Sequence, residues 1–285
     1  MDALVLLAAA AILVLGFASG WAMLRRWKPS GRRRRTAPPG AVAWQRLIEE
    51  RVPIVRGLTE SEWSRLLDLV GTFVREKNFE GIDGLVVTEE MKVIVAAQAS
   101  LLIVDLDDAA CFPSVRSIIL YPGTFVPRVP ALSRHGPFGP DYEPGPTLGE
   151  SLRGAVVLSW DSVTEGVARG DEGRNVVLHE FAHQLDLEDG LVDGVPLLEA
   201  PSSTRVWARV FRERFEELRR AAVEGEPDVL SAYGATNRAE FFAVATEAFF
   251  GRPVELRSRY PDLYHELKGY YRQDPAERLE AHLSP

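Results

Sequence analysis

The chain has 285 residues, 46% hydrophobic and 26% charged, which excludes a disordered or fibrous chain and leaves enough apolar material for a sizeable core. A single cysteine, Cys111, excludes an internal disulfide framework and a cysteine-built zinc site, and is expected to act as a small buried hydrophobe. The formal charge of −8 is unevenly placed: residues 1–36 carry +6 and the remainder −14, so the acidic body is a poor match for nucleic acid and no direct nucleic-acid partner is expected.

Ala3 to Leu24 contains no charged residue. As a helix it would be about 33 Å long, against a hydrocarbon core of about 30 Å. Asp2 precedes it rather than a basic region, and Trp21, Arg25, Arg26, Trp27 and Lys28 close it, which suits an interfacial anchor better than a cleaved signal. The expectation is one membrane span with its N-terminus outside and the body in the cytoplasm, that is, an inner-membrane location. Pro29 to Pro39, with Arg32–Arg35, reads as a short basic linker facing phospholipid headgroups, so residues 3–35 are expected to contact lipid.

The globular part starts near Trp44. Thr59-x-x-Glu62 is a capping box that should open a helix through Trp63, Leu66, Leu67, Val70, Phe73 and Val74. Phe79 to Leu85 reads as a turn-rich connection, and Thr88 caps a second helix to about Val104, apolar on most sides. Ser114 to Tyr121 and Ala155 to Trp160 read as strands. Between them, Pro122 to Gly154 holds seven Pro and six Gly and is expected to be a long loop, with His135 on its surface.

The segment Val176 to Asp186 carries His179 and His183 four residues apart, with Glu180 between them. On a helix, residues i and i+4 share a face, so both imidazoles can reach one zinc ion at about 2.0–2.1 Å while Glu180 stands beside it. This is the HExxH arrangement of a zinc peptidase. Asn175 is the expected N-cap, and Asp189-Gly190 the expected end. Ser203 to about Glu224 follows as an amphipathic helix. Thr236 or Asn237 should cap another that stops at Gly251-Arg-Pro253; Tyr260 to Tyr271 should be the last, before a frayed tail.

A catalytic zinc needs a third protein ligand and one open position. Asp186 shares the histidine helix and moves away along its axis, so it is expected to support a ligand imidazole or tie down the helix end. Glu240 and Glu247, two turns apart on one face of a later helix, are both candidates for the third ligand, and spacing alone does not choose between them.

The chain resembles the MtfA-like (Mlc titration factor A) zinc metallopeptidases, whose catalytic core is similar to that of anthrax lethal factor. The resemblance is carried by Gly81–Leu85, Ala96–Ala99, Leu158–Trp160, His179–Asp186, and Tyr233 followed by Ala239–Ala243, over roughly residues 45–270. It implies an α+β fold, a mostly helical zincin-like domain with a small sheet; the N-terminal transmembrane helix and Arg linker that precede this domain lie outside the resemblance. The domains are then an anchor at 1–28, a linker at 29–43, the metallopeptidase at 44–275 and a tail at 276–285.

The family has a Tyr seven residues before the third-ligand Glu, so by resemblance Glu240 is the ligand, Glu247 a supporting carboxylate and Tyr233 a donor to the oxyanion. One Zn2+ per chain would be held by His179, His183 and Glu240, with Glu180 as general base acting on a peptide or protein substrate. The strand at Ala155–Trp160 is expected to present its edge to an extended peptide. The family name also implies a transcriptional repressor as a partner. The alternative is a membrane-tethered, non-enzymatic regulator-binding protein with a structural zinc.

Overall fold

The computed structural model describes residues 40–106, 111–123, 154–168, 173–198 and 200–283. The apolar stretch 3–24, the basic linker, and most of the Pro/Gly-rich loop with His135 lie outside the described residues. Among the described residues no helix is long and apolar enough to cross a membrane.

Helix α1 (Ala41–Arg51) leads through a 3-10 turn (Pro53–Val55) to α2 (Glu60–Glu76). The capping box forms as the sequence predicts. Glu62 N donates to Thr59 Oγ1 at 3.3 Å, and Thr59 N donates to Glu62 Oε2 at 2.6 Å. Thr88 opens α3 (Glu89–Leu102), accepting from Met91 N at 3.2 Å. Every residue of α3 from Val93 to Leu102 is buried, so this helix is a core element with no solvent face.

Three short strands, β1 (Asn78–Gly81), β2 (Ser117–Tyr121) and β3 (Ala155–Ser159), form a parallel sheet in the order β1-β2-β3. Register pairs Ile118 with Val156 and Leu120 with Leu158, which puts four buried side chains on one face. Three sequence expectations need correction here. The start of the supposed turn after Lys77 is β1, held by backbone pairing to β2 and not by an apolar pattern. The second strand begins at Ser117 rather than Ser114, because Phe112 (φ 47) turns the chain and Lys77 Nζ binds the carbonyls of Phe112 and Val115 at 2.8 and 2.9 Å. The third ends at Ser159, whose Oγ accepts from Ser162 N at 3.3 Å and so starts α4 (Trp160–Ala168) at the residue expected to close the strand.

The rest is helical. Asn175 caps α5 (Val176–Asp186), which ends through a 3-10 turn (Leu187–Asp189) at Gly190 with φ 92, as expected. Then come α6 (Pro201–Glu224), a 3-10 turn (Ala232–Ala235), α7 (Arg238–Gly251), α8 (Pro253–Arg259), α9 (Pro261–Tyr271) and α10 (Pro275–Leu283). Helix α7 stops at Gly251 as expected, with α8 following at Pro253, while α10 corrects both the expectation that Tyr260 to Tyr271 is the last helix and the frayed tail. Pro253 and Pro275 each sit at a first helical position, where the missing N–H costs nothing, so they start helices. Ala276 is fully buried, which anchors the last helix.

Helix α7 is the centre of the body. All of Phe241 to Phe250 is buried. It packs against α5, α6, α8 and α9. Phe249 stacks on Tyr271 with centroids 5.6 Å apart, and Thr246 Oγ1 lies 2.8 Å from Tyr271 Oη. On α5, Phe181 meets Phe73 and Phe112 at centroid distances of 5.5 and 4.6 Å, fixing the helix to α2 and the edge of the sheet layer.

Gly194 locks the connection between α5 and α6. Its N–H donates to both carboxylate oxygens of the fully buried Asp186, at 3.0 and 2.9 Å, and its carbonyl accepts from Trp207 Nε1 at 3.0 Å. Its φ is +81, and a Cβ there would lie 2.4 Å from the Arg238 carbonyl at the start of α7. Gly194→Ala is therefore expected to destabilise the protein by about 2–4 kcal/mol, since both left-handed strain and a backbone clash must be relieved. A urea-unfolding midpoint that stays at the wild-type value would refute that role.

Candidate metal centre

The site is built where α5 crosses α7. Asn175 Oδ1 accepts from Val177 N and Leu178 N, both at 3.1 Å, which fixes the first turn of α5. From that start, His179 and His183 fall on one face with ring centroids 4.9 Å apart at 82°. Asn237 caps α7 by accepting from Glu240 N at 3.0 Å, so Glu240 occupies the first turn, where the helix dipole favours a carboxylate.

Spacing left Glu240 and Glu247 level, and geometry separates them. Glu240 Oε2 lies 3.0 Å from His179 Nε2 and 3.5 Å from His183 Nε2. Glu247 instead reaches the other nitrogen of His179, with Oε1 2.7 Å from Nδ1. His179, His183 and Glu240 each offer one donor atom, all within 4.8 Å of one another. Two ligands at about 2.0–2.1 Å in a tetrahedral array stand about 3.3–3.4 Å apart, and the two Glu240 distances bracket that spacing, so the trio could hold a divalent cation. Glu247 falls in the supporting position, where an acceptor on Nδ1 leaves the Nε2 lone pair toward the metal side.

The electrostatics agree with the geometry. Burial opposes the charge on His179, yet hydrogen bonds to Glu240 and Glu247 outweigh it and hold the imidazole well above its ordinary pKa. Burial would raise Glu240, but its bonds to His179 and His183 hold it far below the usual carboxylate range. Glu180, between the histidines, is raised chiefly by burial, against the pull of the two imidazoles. His183 Nδ1 is buried and has no hydrogen-bond partner among the described residues, so the two histidines are not equivalently supported.

Tyr233 sits in the 3-10 turn with its ring 5.9 Å from that of His179. The turn approaches this closely because Gly234 is wedged between α6 and α7, where a Cβ would lie 3.1 Å from Leu218 and 3.2 Å from Val244. Behind Tyr233 opens a cavity of about 410 Å³ lined by Arg174, Leu218, Asp228, Ser231 and Arg252. Asp186 ties the helix end to Gly194, the second of the two roles expected for it. Two contributors carried no local signal in the sequence. Gly194 is set by a neighbour 44 residues away, and Gln98, one amide in an alanine-rich helix, donates to Ile94 O at 3.1 Å and accepts from Asn175 Nδ2 at 2.7 Å.

Residues 24–272 match the model of the glucose-regulated metallo-peptidase M90 family. An uncharacterized protein of Synechocystis sp. is 31% identical over 264 residues, covering 92% of this chain and 94% of that protein. Mlc titration factor A of Serratia proteamaculans is 31% identical over 248 residues (83% and 89%), and that of Yersinia pestis 30% over 242 residues (80% and 84%).

The bonds to Glu240 and Glu247 favour the protonated imidazole of His179, so a divalent cation taken up there competes with that proton. Apparent affinity is expected to rise with pH, by about tenfold per unit, until the raised pKa of His179 is passed. Dye-competition titrations between about pH 6 and pH 8 check this. A flat profile would mean that binding displaces no proton from His179.

Proposed function

Since the chain belongs to the M90 metallopeptidase family, we propose that it is a zinc-dependent peptidase, with His179, His183 and Glu240 as the metal ligands. The observation that carries this reading is the convergence of three donor atoms beside Glu180, a carboxylate that no ligand role uses. Zinc in such a site lowers the pKa of water toward about 7 and polarises a carbonyl.

The chain's own residues supply the rest. Glu180, its carboxyl raised by burial, accepts a proton from the attacking water and returns it to the leaving amine; a base poised nearer neutrality does both better. Tyr233, beside His179, donates a hydrogen bond to the oxyanion. Among the described strands β3 is an edge, and it packs on α5, a position from which its backbone can pair with an extended substrate.

Location and partner extend the same proposal. The uncharged stretch from Ala3 to Leu24 and its basic flank support an N-terminal membrane anchor, with the peptidase facing the cytoplasm. The relatives named Mlc titration factor A support a repressor-type protein partner, held as an additional role of the body.

Glu180→Gln is expected to keep stoichiometric zinc and to lose about 10²- to 10⁴-fold in kcat on peptide substrates. Glu240→Ala should lose the metal itself, measured by elemental analysis, while Tyr233→Phe should retain it and slow turnover by about 10²-fold. Undiminished turnover by Glu180→Gln, or full metal content in Glu240→Ala, would overturn the corresponding assignment. Wild-type hydrolysis insensitive to chelators would overturn the peptidase mechanism as a whole.

A further inference from the structure

Gln98 is fully buried in the middle of α3, where an amide costs free energy unless both its ends are bonded. Its Nε2 is 3.1 Å from the Ile94 carbonyl, which can only accept, so the amide has one permitted orientation. Oε1 then accepts from Asn175 Nδ2 at 2.7 Å. That contact turns Asn175 Oδ1 toward the free N–H groups of α5. The backbone N–H of Asn175 donates to Glu247 Oε2 at 2.5 Å, and Glu247 Oε1 holds His179 Nδ1 at 2.7 Å. Donor and acceptor are assigned at every step from the core helix to Glu247, and an ionised Glu247 carboxylate accepts from His179 Nδ1.

We infer that Gln98 is a positioning residue of the metal centre: through Asn175 and Glu247 it fixes the ring plane and tautomer of His179. Packing alone would not require an amide here, because Met or Leu would fill similar space in an apolar helix. The inference rests on the reading of His179, His183 and Glu240 as metal ligands.

The molecule contains a matched control. Gln273, also buried, donates its Nε2 to Leu101 O at 2.8 Å and accepts from Arg278 Nη1 at 3.3 Å. It braces the same helix without a bond to the site. The test is the rate at which the zinc-loaded full chain releases metal to an excess of chelating dye, with the visible spectrum of the Co2+-substituted protein as a second readout.

Gln98→Met is expected to release zinc about tenfold faster than wild type and to shift the Co2+ bands. Gln273→Met should release it at the wild-type rate even if its melting temperature falls as far. Gln98→Asn keeps a buried amide but is one methylene too short to span Ile94 O and Asn175, so it should also release faster, and it serves if the Met variant does not fold. Wild-type release from a folded Gln98 variant, or equal acceleration in Gln273→Met, would overturn the positioning role. A wild-type chain that takes up no stoichiometric metal would instead refute the ligand assignment beneath it.

Discussion

The carboxylate of Glu247 is almost fully buried, and both its oxygens are committed, one to the backbone N–H of Asn175 and one to the ring of His179. A buried carboxylate needs such partners, because an unpaired charge in a low-dielectric interior costs several kcal/mol. The register between α5 and α7 follows from this. Sliding either helix by one turn would strand Glu247 and carry Glu240 out of reach of both imidazoles. Glu247 therefore sets where His179 and Glu240 meet.

Around that constraint the two carboxylates of α7 divide the labour by depth. Glu240, in the first turn, is accessible enough to face an incoming ligand, with its side chain 17% exposed against 9% for Glu247. Glu180, on α5 between the two histidines, is balanced differently. Its neighbours are two imidazoles that favour its anion and two carboxylates that disfavour it, with burial as the largest influence. A cation at the donor trio would add to the imidazoles' side of that balance.

Much of this was legible in the sequence because it was written in local spacing. The HExxH pair, both threonine caps, Asn175 and Asn237 each act within four residues, and all appear where local pattern puts them. What was illegible depends on distant backbone. Strand β1 has a single apolar side chain, Phe79, and exists because β2 supplies its hydrogen bonds. Ser159 both ends a strand and caps a helix, a double role hidden inside an apolar run. Spacing alone leaves Glu240 and Glu247 level; the resemblance favours Glu240, and the rotation of α7 about its axis supplies the physical difference between them. Two carboxylates seven residues apart share a face, and only the opposing ring tells them apart.

Helix α7 is enclosed by α5 and α6 before it in the chain and by α8 and α9 after it, with the buried Tyr264 and Tyr271 against Phe249. Glu240 and Glu247 thus ride on a segment whose packing is complete only when the chain has been made through Tyr271. Occupancy of the donor trio is consequently coupled to the folding of the entire body. Any ion bound there would stabilise the whole cooperative unit by mass action, and its uptake would report completion of the fold rather than the meeting of two helices.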